Sequence, residues 1–214
     1  MSLHRWRWVA ALLFVATVGQ LVVAVLFDAA LPQFHGKGFA GRLAAYPALM
    51  LAVPAVWAWR RRRKRGSQTL PWDGIALIVA PFLVDVTGNT LDLYDRVSWW
   101  DDANHFVNWA LLCTGIGLLL LRSRIAPPWA VGVTTAGIGA ALAIAWELAE
   151  YVTFIRFGTE LDTAYRDTLG DEALGTLGGM VAGTLVARRA AQPPSWKSSS
   201  SASSDAGTRA RASS

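Results

Sequence analysis

Cysteine and histidine are almost missing from this chain, which has one of the first and three of the second. A lone Cys113 excludes internal disulfides and any paired-cysteine metal or redox motif. Inside an apolar run it reads as a small buried residue. Charge is scarce as well: Asp, Glu, Lys and Arg make up only 16% of the sequence, far below the quarter or so typical of soluble domains. Several signatures are absent, among them HExxH, GxSxG, the P-loop, GxGxxG and the EF-hand loop, so the mechanisms they carry have no sequence support. A four-helix di-iron site asks for two ExxH motifs, and the corresponding stretch here, Glu147 to Glu150, is ExxE.

What is present is apolar sequence. Of 214 residues, 53% are hydrophobic, and the mean hydropathy is +0.33. A hydrocarbon core of about 30 Å needs roughly 17 to 25 helical residues. Six stretches meet that requirement, at about 8–27, 43–59, 72–93, 103–121, 129–151 and 171–188. The pattern predicts an all-α integral membrane protein, a bundle of six transmembrane helices occupying residues 1–191. The first stretch follows His4, Arg5 and Arg7 as a signal peptide would, but it is longer than a signal core and lacks an A-x-A exit, so it reads as a retained helix. Residues 192–214 are serine-rich and almost free of apolar side chains, which predicts a disordered tail.

Basic residues in short loops mark the cytoplasmic side. In a six-span arrangement 15 of the 20 fall on one face, including Arg5, Arg7, the run Arg60 to Arg65, Arg122, Arg124, Arg188 and Arg189. Of the 15 acids only Asp73 and Asp205 join them. Both termini are therefore expected in the cytoplasm. The net charge of +5 reflects this topology and not nucleic-acid binding. Tryptophans cluster near the expected boundaries, with Trp99, Trp100 and Trp146 at the outer one, as interfacial anchors do.

Gly175, Gly179 and Gly183 recur every fourth residue in the last span, and Gly132, Ala136 and Ala140 do so in the fifth. Two smooth stripes of this kind let helix backbones approach closely. Their packing would bring the outer ends of these spans together, and acids gather there.

Asp85, Asn89 and Asp92 are spaced i, i+4, i+7, which stacks them on one face of the third span. Asp101 and His105 lie one turn apart at the start of the fourth. Glu147 and Glu150 close the fifth, and Asp167 and Asp171 are one turn apart if the last helix begins early. A carboxylate at mid-membrane costs about 2.5 to 3.5 kcal/mol on insertion scales, so such groups face the bundle interior and mark function. Asp85 and Glu147 are the deepest. A surplus of convergent carboxylates is relieved by protonation or by a bound cation. One imidazole among them suits Mg²⁺, Mn²⁺, Zn²⁺ or Fe²⁺.

The order Asp101-x-x-x-His105-Phe106, then Glu147-x-x-Glu150, then Asp167-Thr168-x-x-Asp171-x-x-x-Gly175 resembles the YjdF-like family of bacterial multi-spanning inner-membrane proteins. The likeness covers the third to sixth spans, with Tyr151 standing where tryptophan is expected. It implies an all-helical protein of the bacterial inner membrane with His105, Glu147, Glu150, Asp167 and Asp171 at the matching positions, and it implies no particular reaction.

Three functions are open to this pattern. The first is an outward-facing metal site with His105, Glu147 and Asp171 as ligands, Glu150 or Asp167 as general base, and Asp85, Asn89, Asp92 and Asp101 behind them. Such a site would hydrolyse a lipid or lipid-linked phosphate. The second is a proton- or cation-coupled transporter with Asp85, Asp92 and Glu147 as its relay. The third is a membrane assembly factor whose polar cluster only locks the helices. In every case the bilayer is the immediate partner.

Overall fold

The computed structural model describes residues 3–64, 69–122, 127–153, 155–157 and 161–192. The serine-rich tail from 193 onward, Arg65 and Arg124 lie outside the described residues. Seven α-helices follow one another: α1 (Leu3–Leu26), α2 (Phe39–Lys64), α3 (Trp72–Thr90), the short α4 (Leu93–Arg96), α5 (Trp100–Arg122), α6 (Pro128–Thr153) and α7 (Leu161–Ala191). No strand occurs among the described residues. Backbone polar groups satisfied within each helix are what the interior of a bilayer demands. Pro47 and Pro54 inside α2 and Pro81 inside α3 each leave a carbonyl one turn earlier without its helical donor, a gap that membrane helices tolerate where neighbouring helices, side chains or water supply the partner.

Four helices contain stretches long and apolar enough to cross a membrane: Arg5–Leu26, Phe39–Arg60, Trp100–Arg122 and Pro128–Val152. The six expected crossings would also need α3 and α7, whose apolarity is diluted by inward-facing polar residues and glycines. In α3, Gly74, Ile75, Ala76, Ile78, Val79, Val86 and Asn89 are all buried. Helix α7 has 31 residues, about 46 Å at 1.5 Å per residue. That exceeds the hydrocarbon core by roughly 16 Å and accommodates the polar turns before Asp171.

Contacts fix the direction of each helix. Gly74 of α3 meets Gly115 of α5, and Gly88 meets Trp100, so these helices are antiparallel. Gly132 of α6 meets Gly183 of α7, and Gly139 meets Gly179, which makes that pair antiparallel too. The expected stripes therefore do pack together, with Gly139 taking the place of Ala140 as the close partner. A Cβ on Gly183 would run into the Gly132 carbonyl oxygen, so the small side chain is required by the backbone approach. Cys113 is buried against Gly139 and Gly179, as a small apolar residue.

The alternating helices give the bundle a basic end and an acidic end. At the basic end Arg122 pairs with Asp73 at 2.8 Å, joining the last turn of α5 to the first turn of α3. Exposed Arg7 and Arg63 lie over Trp8 and Trp59, at 4.9 and 4.3 Å from the ring centroids.

Two apolar clusters fill the interior. One joins α1, α2 and α3 through Leu21, Tyr46, Met50, Ile75 and Val86. The other joins α5, α6 and α7 through Trp109, Cys113, Ala143 and Ala182. Trp146 packs against both clusters and stands 6.4 Å from the Tyr46 ring. It is a half-buried bridge between the two halves of the core. Trp129, by contrast, is 68% exposed.

Candidate metal centre at the acidic end

Helix α3 ends at Thr90, short of Asp92. The Thr90 hydroxyl donates back to the Val86 carbonyl at 2.8 Å, and the Asn89 amide donates to the Asp85 carbonyl at 3.1 Å, local bonds that occupy the last turn. Asp92 follows in the left-handed region at φ 59°. It therefore does not share a helical face with Asp85 and Asn89, and the expected three-residue stack is corrected to two. Asp92 instead accepts from Arg96 at 2.7 Å, on the surface.

Asp85 is the centre of a hydrogen-bond hub. Its carboxylate accepts from Arg42 at 3.0 Å, Tyr46 at 2.7 Å and Tyr94 at 2.8 Å. The Asn104 amide donates to the Tyr94 hydroxyl in turn, and Asn108 donates to Asn104 at 2.8 Å. Burial, and then the neighbouring Asp85 charge, push the Tyr94 phenol well above its ordinary range, which keeps it protonated and donating. Arg42 is the countercharge of Asp85, a partner the sequence expectations do not name. The missed signal was present: Arg42 and Tyr46 stand one turn apart at the head of an apolar helix, where a charge needs a partner. With these donors in place Asp85 is an ion-paired anchor for α2, α3 and α4.

A second cluster lies around His105. Its Nε2 is 3.6 Å from Asp101 Oδ1 on the preceding turn of α5 and 3.6 Å from Asp171 Oδ1 on α7. Its Nδ1 is 4.0 Å from Glu147 Oε1 on α6. Three helices thus present a carboxylate or the imidazole to one small volume. The α6–α7 glycine contact brings Glu147 and Asp171 to it, and Gly178 against the Phe106 carbonyl brings α7 onto α5. Glu147 and Asp171 are only 4% and 5% exposed. Thr168 of α7 is a polar neighbour of Glu147.

The 3.6 Å separations are too long for hydrogen bonds, yet they fit donors that share an ion. Two ligands each about 2.1 Å from a tetrahedral zinc stand roughly 3.4 Å apart. Ligand atoms of Asp101, His105 and Asp171 all lie within 4.8 Å of one another. Asp101, His105 and Asp171 thus form one group that could hold an ion. Glu147 lies on the other side of the ring.

The remaining expected residues surround this group. Asp167 is exposed one turn before Asp171, as the early start of α7 allows, and has His105, Glu147 and Asp171 among its charged neighbours. Glu150 is half-buried, with Glu147, Arg42, Asp85 and Asp101 in electrostatic reach, and so stands between the cluster and the hub. Asn89 is buried and serves the α3 backbone.

The chain belongs to the family described as "Predicted membrane protein (DUF2238)", which matches residues 10–192. That membership agrees with the resemblance to the YjdF-like membrane proteins. No curated protein and no solved structure matches the chain.

Proposed function

We propose that this family member carries a divalent-cation centre at the acidic end of its bundle, with Asp101, His105 and Asp171 as ligands. The observation behind this reading is the pair of 3.6 Å separations at His105 Nε2, made by two carboxylates on different helices. An imidazole with two carboxylates suits Zn²⁺, Mn²⁺ or Fe²⁺, and Mg²⁺ with more water in its shell. The cation would also offset the cost of holding Asp171 and Glu147 out of water.

Six crossings, α3 and α7 included, would put both termini and the basic end in the bacterial cytoplasm. The centre would then face outward at the headgroup boundary. The distribution of basic residues supports that orientation. A bound ion makes its water more acidic, and Glu150 or Asp167 would accept a proton from it. The reaction class this favours is hydrolysis of a phosphate ester borne by a lipid. A transmembrane relay draws less support. Among the described residues the hydrogen-bond chain from Arg42 stops at Asn108, and nearer the basic end α3 and α5 close glycine against glycine.

Equilibrium dialysis of the metal-stripped, detergent-solubilised full chain against Zn²⁺ and Mn²⁺ tests the centre. One ion per chain is expected, lost in His105→Ala and Asp171→Asn and kept in Asp95→Asn. Binding that survives His105→Ala unchanged would overturn the reading.

A further inference from the structure

The imidazole of His105 has two faces, and the helices treat them differently. Nε2 looks toward Asp101 and Asp171, one on its own helix and one on α7, and Asp101 is 41% exposed at its side chain. Nδ1 looks toward Glu147, which is 4% exposed and lies on α6. Nε2 therefore faces two aspartates, one that reaches water and one, Asp171, that is buried, whereas Nδ1 faces a single buried glutamate.

From this asymmetry we infer that Glu147 is a positioning residue and not a ligand: it accepts the Nδ1 proton of His105, which turns the Nε2 lone pair toward the cation. The inference rests on the metal reading above and assigns the glutamate its part in it. Histidine ligands commonly donate their second ring N–H to a carboxylate, which fixes the tautomer and raises the basicity of the ligating nitrogen. A closing movement of about 1 Å would bring the 4.0 Å pair to a hydrogen bond of roughly 2.9 Å.

Glu147 is itself held in place. Thr168 of α7 is its polar neighbour, and one turn before it Ala143 packs on Gly175 of α7. A carboxylate buried this deeply in a membrane helix needs a donor. The ring N–H supplies one without adding charge. Glutamate on α6 is also long enough to reach the back of the ring while Trp146 beside it fills the space toward Tyr46.

The test uses Co²⁺ binding to the detergent-solubilised full chain, read by visible absorption and by competition with a chelator. His105→Ala is expected to abolish binding. Glu147→Gln, which keeps an acceptor oxygen, should bind with the wild-type ligand-field spectrum and about 10-fold lower affinity. Glu147→Leu should weaken binding by about 100-fold, again with an unchanged spectrum. The ¹⁵N signals of His105 in the Zn²⁺-loaded wild type should show a protonated Nδ1. A spectrum in Glu147→Gln that reports the loss of an oxygen ligand would make Glu147 a ligand and overturn the inference, as would wild-type affinity in both variants. Should Glu147→Leu fail to fold, Glu147→Gln and the ¹⁵N signals decide. Wild-type protein that takes up no Co²⁺ sinks the metal reading itself. Wild-type binding with no effect at Glu147 sinks only the positioning role.

Discussion

At the basic end of the bundle, charge runs off the ends of the helices. Arg7, Arg60, Arg63, Arg188 and Arg189 are exposed, Arg7 and Arg63 rest on tryptophan faces, and the one described acid, Asp73, is paired to Arg122. At the acidic end the charge is turned inward: Asp85 is enclosed by donors from Arg42, Tyr46 and Tyr94, and Glu147 and Asp171 are buried around a histidine. Exposed arginine at a membrane boundary is inexpensive and serves topology. Inward carboxylates are costly and need partners. One end is therefore explained by water and lipid, whereas the other needs specific neighbours.

Substitutions can break this contrast. The largest effect is expected at the hub. Asp85→Asn leaves the Arg42 guanidinium without its countercharge in a half-buried site and should destabilise the protein by about 3 kcal/mol, read as a lower midpoint of thermal unfolding in detergent. The packing that supports the acidic end comes next. Gly183→Leu forces α7 away from the Gly132 carbonyl, and overpacking of this kind costs about 1 to 3 kcal/mol. The same measurement should find it, along with weakened metal uptake, because Asp171 rides on the displaced helix. At the basic end Arg122→Ala removes an exposed pair and should cost under about 1 kcal/mol. An Arg122→Ala penalty equal to that of Asp85→Asn would erase the distinction between the ends.

The smallest effect is at the surface contact between Lys37 and Asp95, 2.7 Å apart. The Lys37 ammonium, through its hydrogen bond, holds the Asp95 carboxyl below its ordinary value. Since the folded value is the lower one, the pair stabilises the fold above the unfolded pKa of about 3.9 and loses that contribution as pH falls through the depressed value. Asp95 is 57% exposed at its side chain, so solvent screening keeps the effect to a few tenths of a kcal/mol at most. Unfolding midpoints of wild type and Asp95→Asn measured from pH 7 to pH 3 should converge at the acid end. A difference that grows on acidification would contradict this assignment.

Much of the fold follows from periodicity and chain length. Six long helices overlap the expected stretches, and four of them contain runs long and apolar enough to cross a membrane, where a chain has few alternatives to helix. The glycine stripes named the α6–α7 pair because backbone approach is a local requirement written every fourth residue. The site was legible in part. His105 and Asp171 come together as their spacing suggested, with Asp101 on the same side of the ring and Glu147 on the other, an arrangement that depends on three helices at once and so leaves no mark in any one stretch of sequence. Asp92 was misplaced because side-chain bonds from Asn89 and Thr90 close α3 a turn earlier than hydropathy implies. Arg42 pairs with Asp85 across 43 residues of sequence, so its place one turn before Tyr46 shows that a partner is needed without showing which one.

X-ray absorption at the zinc edge of the loaded full chain tests the metal centre most directly. Imidazole scattering with a short oxygen and nitrogen shell at about 2.0 to 2.2 Å is predicted, the imidazole component disappearing in His105→Ala. A shell of water oxygens without imidazole, or a spectrum identical in His105→Ala, would contradict it.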